Sequence, residues 1–270
     1  MSGKKVSMYI FLILLVGFFF APFYWMISTS LKPRGEIFLP RFWPSTPVFE
    51  NYRNLFQTTD FSNWLISSLI VSSGTVGLGI CLCSIAGYAF AKYDFKGKNL
   101  IFWMILGTVA IPQFVTIIPI FVIMVRSKLI DTYGALILPF SVNAFGMFLM
   151  RQYIAGAVPD ALLDAARIDG CSEIGLLFRV VFPVVKPGLA ILAIFLWLDS
   201  WSSYFWPLIM LKSQNRFTVP LGLATLYANP WNIRYELLMV GAFLSTLPMI
   251  LVFVFMQENF VSGLTKGALK

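Results

Sequence analysis

The stretch WLISSLIVSSGTVGLGICLCSIAGYAF, Trp64–Phe90, contains neither a charged residue nor a proline. About 20 apolar residues in a helix cross the hydrocarbon core of a bilayer, so this run reads as a membrane span. Five more apolar runs of similar length surround it: Val6–Ser30, Leu100–Val125, Tyr133–Met150, Pro187–Leu211 and Leu237–Met256. Across the 270 residues, 59% are hydrophobic and 12% charged, about half the charge of an ordinary soluble domain. Mean hydropathy is +0.81. Such a chain is not disordered, fibrous or an ordinary water-soluble protein. The alternating ten-residue segments of a membrane β-barrel are missing too. The expected fold is an all-α membrane protein with six transmembrane helices in one domain, residues 1–270.

The first run is too long for a signal-peptide core and has no small-residue cleavage site. It ends in Tyr24 and Trp25, which suit a membrane interface, so it is read as a span. Six spans put both termini on one side. With Lys4 and Lys5 inside, the inner segments hold slightly more Lys and Arg than the outer ones. Four outer charges, Lys32, Arg34, Arg41 and Arg53, lie in the long first loop, where charge counts for less. The expected topology is therefore N-in, C-in. A net charge of +8 spread over loops fits this orientation better than binding of nucleic acid.

The second span carries Thr75, Gly79, Cys83 and Gly87 at spacings of four, with Ser73 and Gly77 beside them. These positions share one helix face. Close helix packing is the favoured reading, and a pore lining the other. Cys81 and Cys83 point about 200° apart on a helix, which disfavours joint metal binding. With Cys171 in a polar loop, no disulfide framework is implied. There is no histidine, no Gly-x-x-x-x-Gly-Lys-Ser/Thr loop and no Gly-x-Ser-x-Gly elbow. An enzyme is therefore not expected, and neither a catalytic residue nor a metal site is assigned.

The longest inner loop, residues 156–186, contains VPDALLDAARIDG at Val158–Gly170 and CSEIGLLFRVVFP at Cys171–Pro183. Pro159 and Asp160 suit the start of a helix, and Gly170 suits its end. Ser172 suits the cap of a second helix, with Glu173 in its first turn and Pro183 beyond its end. Leu163, Ala166 and Gly170 share a face. That face forms either a compact surface aimed at the cytoplasm or the underside of a helix lying on lipid headgroups.

This loop resembles the cytoplasmic signature of ABC importer permeases: Glu-Ala-Ala, three residues, Gly, nine residues, then Ile-x-Leu-Pro. Here it is Asp164-Ala165-Ala166, then Gly170, then Val180 and Phe182-Pro183, with the spacing kept throughout. Asp, Val and Phe replace Glu, Ile and Leu. Asn51-Tyr52 with Leu55-Phe56, Ala89–Lys98, Asp131-Thr132-Tyr133-Gly134 and the tail Phe260–Lys270 resemble the carbohydrate, maltose-type branch. So does Ala165-Ala166 followed by Asp169-Gly170. Trp201-Ser202 departs from the branch's frequent Trp-Asn, so sugar contacts are not carried over from relatives.

The resemblance implies the type I importer permease architecture and one of two non-identical permease subunits. Two cytoplasmic ATPase subunits would bind beneath, holding the ATP and Mg, with no cofactor in this chain. An extracytoplasmic solute-binding protein would dock above. Asp164, Ala165, Ala166, Asp169, Gly170 and Pro183 would form the ATPase-coupling segment, and Lys266 and Lys270 of the tail would reach the ATPase pair. The solute would be a sugar, or a related compound such as a glycerol phosphate.

A carboxylate inside a span is costly and marks a functional site by default. The fifth span has Asp199, with Trp201, Ser202 and Tyr204 close in sequence as candidate pathway residues and Trp197, Ser200, Ser203 and Trp206 around them. The alternative for Asp199 is a pairing with a neighbouring helix. Pro112, Pro119, Pro139, Pro207 and Pro248 are possible breaks around a cavity. An ion-gradient-driven carrier is the competing function, but it calls for internal repeats and several intramembrane acids. One such acid and no repeat are present.

Overall fold

A computed structural model describes residues 3–268, with side chains from Lys4 to Gln257. It is helical throughout, with no strand among the described residues. The tail lysines Lys266 and Lys270 lie outside the described side chains. The helices are α1 Gly3–Ser30, α2 Glu50–Thr58, α3 Phe61–Lys92, α4 Lys98–Gly107, α5 Gln113–Arg126, α6 Tyr133–Ser141 and α7 Ala144–Ala157. They continue as α8 Asp160–Ile168, α9 Glu173–Val184, α10 Lys186–Ser202, α11 Phe205–Met210, α12 Val219–Thr225 and α13 Tyr235–Ala268.

Three helices, α1, α3 and α13, are each long and apolar enough to cross a membrane unaided. Three bent pairs supply the remaining candidate spans by length and composition: α4 with α5 at 105°, α6 with α7 at 48°, and α10 with α9, the end of the inner loop, at 89°. Counting each pair as one span gives six. From Lys4 to Trp25 every side chain of α1 is exposed, and α1 packs mainly on α13.

Prolines explain some of these breaks. The 105° bend falls at Pro112, whose extended ψ of 132° opens α5. Pro139 lies inside α6, before the kink at Val142 and Asn143. Pro119 and Pro248 stay inside continuous helices, so they are not breaks. The fifth span is interrupted at Ser203 and Tyr204, just before Pro207. The fourth runs on to Ala157, past the expected end at Met150, and Arg151 lies in α7 with its guanidinium 4.4 Å from the centroid of Phe102. The half-buried guanidinium is met there by an aromatic face.

At the centre is α3, packed on α6, α7 and α10. Its stripe of Thr75, Gly79, Cys83 and Gly87 is buried, whereas Ser73 and Gly77 face outward. A Cβ on Gly79 would lie 2.5 Å from Leu196 and 2.6 Å from the Ser141 carbonyl, and one on Gly87 2.7 Å from Met150. The stripe therefore serves close helix packing over most of its length. Cys83 is fully buried and Cys81 partly exposed.

Candidate functional site: the 158–185 loop and a polar cavity

The loop leaves the bundle at one end. Pro159, at ψ 145°, caps α8, and Asp160 occupies its first turn. The helix stops at Gly170, where φ is +84°. The Gly170 amide donates to the Arg167 carbonyl at 3.0 Å and the Cys171 amide to that of Ala166 at 2.9 Å, forming a Schellman turn. Ser172 then caps α9 by accepting from the Gly175 amide at 3.2 Å. Within α9, Leu176–Val181 widens into a π turn. Pro183 lies inside this helical stretch, not beyond its end. It falls at the start of the next turn, where a missing N–H is tolerated.

The face of α8 bearing Leu163 and Ala166 points inward, contrary to the expectation of an outward surface. Leu163 is buried with Val158, Leu176, Leu177 and Val181 against Tyr88 of α3, Met150 and Ile154 of α7, and Leu192 of α10. Burial of apolar area is worth roughly 25 cal/mol per Å², which favours that face inward. Asp164, Ala165, Asp169 and Gly170 are exposed, together with Ile168 at 87% and Ile174 at 73%.

Polar contacts reinforce the joint. Lys92, at the end of α3, donates to the Val158 carbonyl and the Asp160 carboxylate, both at 2.6 Å. Arg167 bonds Asp164 and Glu173, each at 3.0 Å. Glu173 also accepts from the hydroxyls of Tyr93 and, at 3.4 Å, Tyr88. The Arg167 guanidinium and the Tyr93 hydroxyl hold the Glu173 carboxyl below its ordinary range. Lys92 does the same for Asp160.

The second region is a cavity of about 270 Å³ at the bend of α4–α5 and the break of α10–α11. Of the candidate pathway residues, Asp199, Ser202 and Tyr204 line it. Trp201 does not. It is buried, stacks on Trp197 at 5.5 Å and donates to the Ser245 carbonyl at 3.1 Å. The Asp199 carboxylate has no hydrogen-bond or ion-pair partner among the described residues, so the expected pairing with a neighbouring helix is not formed.

Gln113, Phe114, Thr218 and Phe140 also line the cavity, none of them singled out from sequence as a pathway residue, and so does Thr75, the first residue of the stripe for which a pore lining was the second reading. The only sequence signal for the first two was Pro112 just before them. The Thr75 and Thr218 hydroxyls are buried without a partner. Asp199 is the one charged side chain in the lining, amid amide, hydroxyl and aromatic groups. Such a surface offers hydrogen bonds to hydroxyls and flat faces to C–H groups.

At the other end of the bundle, Asp131 has φ 60° and accepts from the Lys212 and Ser213 amides at 2.9 and 3.0 Å and from the Ser213 hydroxyl at 2.5 Å. Burial acts to raise its carboxyl. Ser213, the two amides and Arg216 outweigh it and hold the group at about 2.

Residues 79–266 match the model of the binding-protein-dependent transport system inner membrane component. The chain belongs to that family. Over its full length this inner membrane component is 37% identical to the arabinooligosaccharides transport system permease protein AraQ of Bacillus subtilis, covering 97% of that relative. It is 31% identical to the lactose transport system permease protein LacG of Rhizobium radiobacter, over 90% of this chain and 88% of the relative. Its fold is similar to a chain in the crystal structure of a bacterial ABC transporter involved in the import of the acidic polysaccharide alginate. The TM-score is 0.82 at 22% identity, covering 96% of this chain and 99% of that one. The family match spans the 158–185 loop and the cavity-lining break of the fifth span.

Proposed function

We propose that this family member is a permease subunit of an ATP-driven, binding-protein-dependent importer for a sugar. It would pair with a second permease and stand on two ATPase subunits that carry the ATP and Mg. An extracytoplasmic solute-binding protein would deliver the solute. The relatives' sugar names support the solute class, and the hydroxyl-rich cavity, whose one charged side chain is Asp199, suits a sugar better than a glycerol phosphate, whose anion would meet that carboxylate and no cation. Six spans run N-in and C-in, which puts the loop around Asp164–Gly170 in the cytoplasm and Asp131 outside.

The observation that carries this reading is the construction of the loop. It exposes Ile168, Ile174 and a Schellman turn at one end while its other face is packed into the helix bundle. A docked ATPase that moves this surface moves the spans, which suits alternating access. Orientation is tested with single cysteines at Ser172 and Ser45 in a cysteine-free background. A membrane-impermeant thiol probe added to intact cells should label position 45 and spare position 172. Labelling of position 172 would overturn the topology. The solute is found by thermal-shift screening of the cognate binding protein, since a bound ligand raises its melting temperature.

A further inference from the structure

Three helices meet the 158–185 loop: α3, α7 and α10. Two of them belong to broken spans. α7 joins α6 through a 48° kink, and α10, set at 89° to the loop's α9, is cut from α11 at Ser203 and Tyr204. α3 runs unbroken from Phe61 to Lys92. At 1.5 Å per residue, it carries Thr75 at the cavity and Lys92 at the loop about 26 Å apart on one rod. Chain connectivity joins the loop to α7 and α10, whereas α3 meets it only through side chains. Those side chains grip α8 at both ends. Lys92 holds the helix start through Asp160 and the Val158 carbonyl, and is itself nearly buried, at 8% side-chain exposure. Tyr88 and Tyr93 hold Glu173, which holds Arg167 in the last turn of α8.

We propose that Lys92, Tyr88, Tyr93 and Glu173 form a two-point clamp that delivers movement of the loop to α3, and through α3 to the cavity wall at Thr75. They are positioning residues, for they touch neither solute nor nucleotide. The proposal rests on the reading of the loop as the ATPase-coupling element. A bent span loses part of an axial push by flexing at its bend, whereas a straight helix passes it on. The clamp makes the straight helix the one that follows the loop. Ion pairs on an open surface contribute little. Here the lysine of one grip is itself nearly buried, the other grip is a linked set of two tyrosines, Glu173 and Arg167, and both sit where a lever meets its rod.

The test uses the complete four-subunit complex in lipid vesicles, with loaded binding protein supplied. Tyr88→Phe/Tyr93→Phe removes only two hydroxyls and leaves the ring packing intact. Lys92→Met removes the other grip and keeps the apolar stem. The readout is solute transported per ATP hydrolysed, with ATPase co-purification alongside. The tyrosine pair should keep the ATPase bound, with the transport ratio falling at least fivefold. Adding Lys92→Met should lower it further. A merely structural role would change stability and both rates together and leave the ratio untouched, and that result overturns the proposal. Failure of the tyrosine pair to assemble overturns it equally, because the hydroxyls would then serve folding. If Lys92→Met alone fails to assemble, the tyrosine pair decides. A Gly170→Val variant made in parallel separates the two levels. If it is uncoupled while the tyrosine pair keeps a normal ratio, the clamp fails and the coupling reading stands. If it is wild type, the coupling reading itself has failed.

Discussion

Gly170→Val is the substitution with the sharpest expected outcome. The residue ends α8 at φ +84°, and its amide and that of Cys171 close the Schellman turn. A Cβ built there meets nothing within 4 Å, so no clash arises within the chain. The cost is backbone strain: roughly 1–2 kcal/mol for an L-residue held in the left-handed region, with a β-branched side chain toward the upper figure. At about 1.4 kcal/mol per factor of ten, roughly 2 kcal/mol shifts the loop end away from its native form about thirtyfold. If the ATPase docks on that form, its affinity falls by up to the same factor. Gly170→Ala should lose about fivefold, for a strain of about 1 kcal/mol. Gly170→Asn separates conformation from space, because asparagine adopts the left-handed region readily. Near-wild-type binding by Asn would assign the effect to strain, and a defect as deep as Val's would assign it to close approach of the partner. The assay titrates ATPase onto the purified permease pair and follows binding-protein-stimulated hydrolysis in vesicles. Wild-type affinity, hydrolysis and transport in the Val variant would refute the coupling role of the loop.

Other outcomes follow from the packing and the charges. Asp199→Asn should lower transport at limiting solute while assembly and basal ATP hydrolysis persist, and unchanged transport would leave Asp199 without a role in the pathway. Gly87→Ala places a Cβ 2.7 Å from Met150 and 2.8 Å from the Arg151 amide, an overpacking that typically costs ~1–3 kcal/mol. Gly77→Ala meets nothing and should be near neutral, with thermal unfolding in detergent as the comparison. The Asp131 carboxyl is depressed from 3.8 to about 2, so its stabilisation is present above about pH 4 and is lost as pH falls toward about 2. The stability gap between wild type and Asp131→Asn, measured by thermal unfolding, should accordingly be constant near neutrality and close across that acid window.

The spans were legible because uninterrupted apolar runs have few other uses in a protein. Their bends were only half legible. Pro112 breaks a helix and Pro248 does not, because neighbouring helices can satisfy a carbonyl freed by proline, and that depends on packing that a single sequence does not display. α8 was readable from local chemistry: proline and aspartate at its start, glycine at its end. Its orientation was not, since Leu163 and Ala166 turn inward only because Tyr88, Met150 and Leu192 wait there from distant parts of the chain. At the cavity, Asp199 declared itself as a charge in a span. Trp201 looked equally suited to a solute, yet its indole is spent on Ser245. Thr75 and Thr218, 143 positions apart in the chain, meet only through the fold.

The shared core under the loop bears on how such proteins can be recombined. Leu163, Leu176, Leu177 and Val181 interlock with Cys83, Tyr88, Met150, Ile154 and Leu192. Segment 158–185 is thus no detachable cassette, for its inner half belongs to the same jigsaw as three spans. A chimera that borrows the whole segment from a relative inherits knobs cut for other holes. One that borrows only the outward positions, around Asp164, Ile168, Asp169 and Ile174, keeps the native fit and exchanges only what an ATPase would read. If an ATPase docks there, partner choice can drift on the outer side of α8 and the start of α9 while the inner side stays fixed.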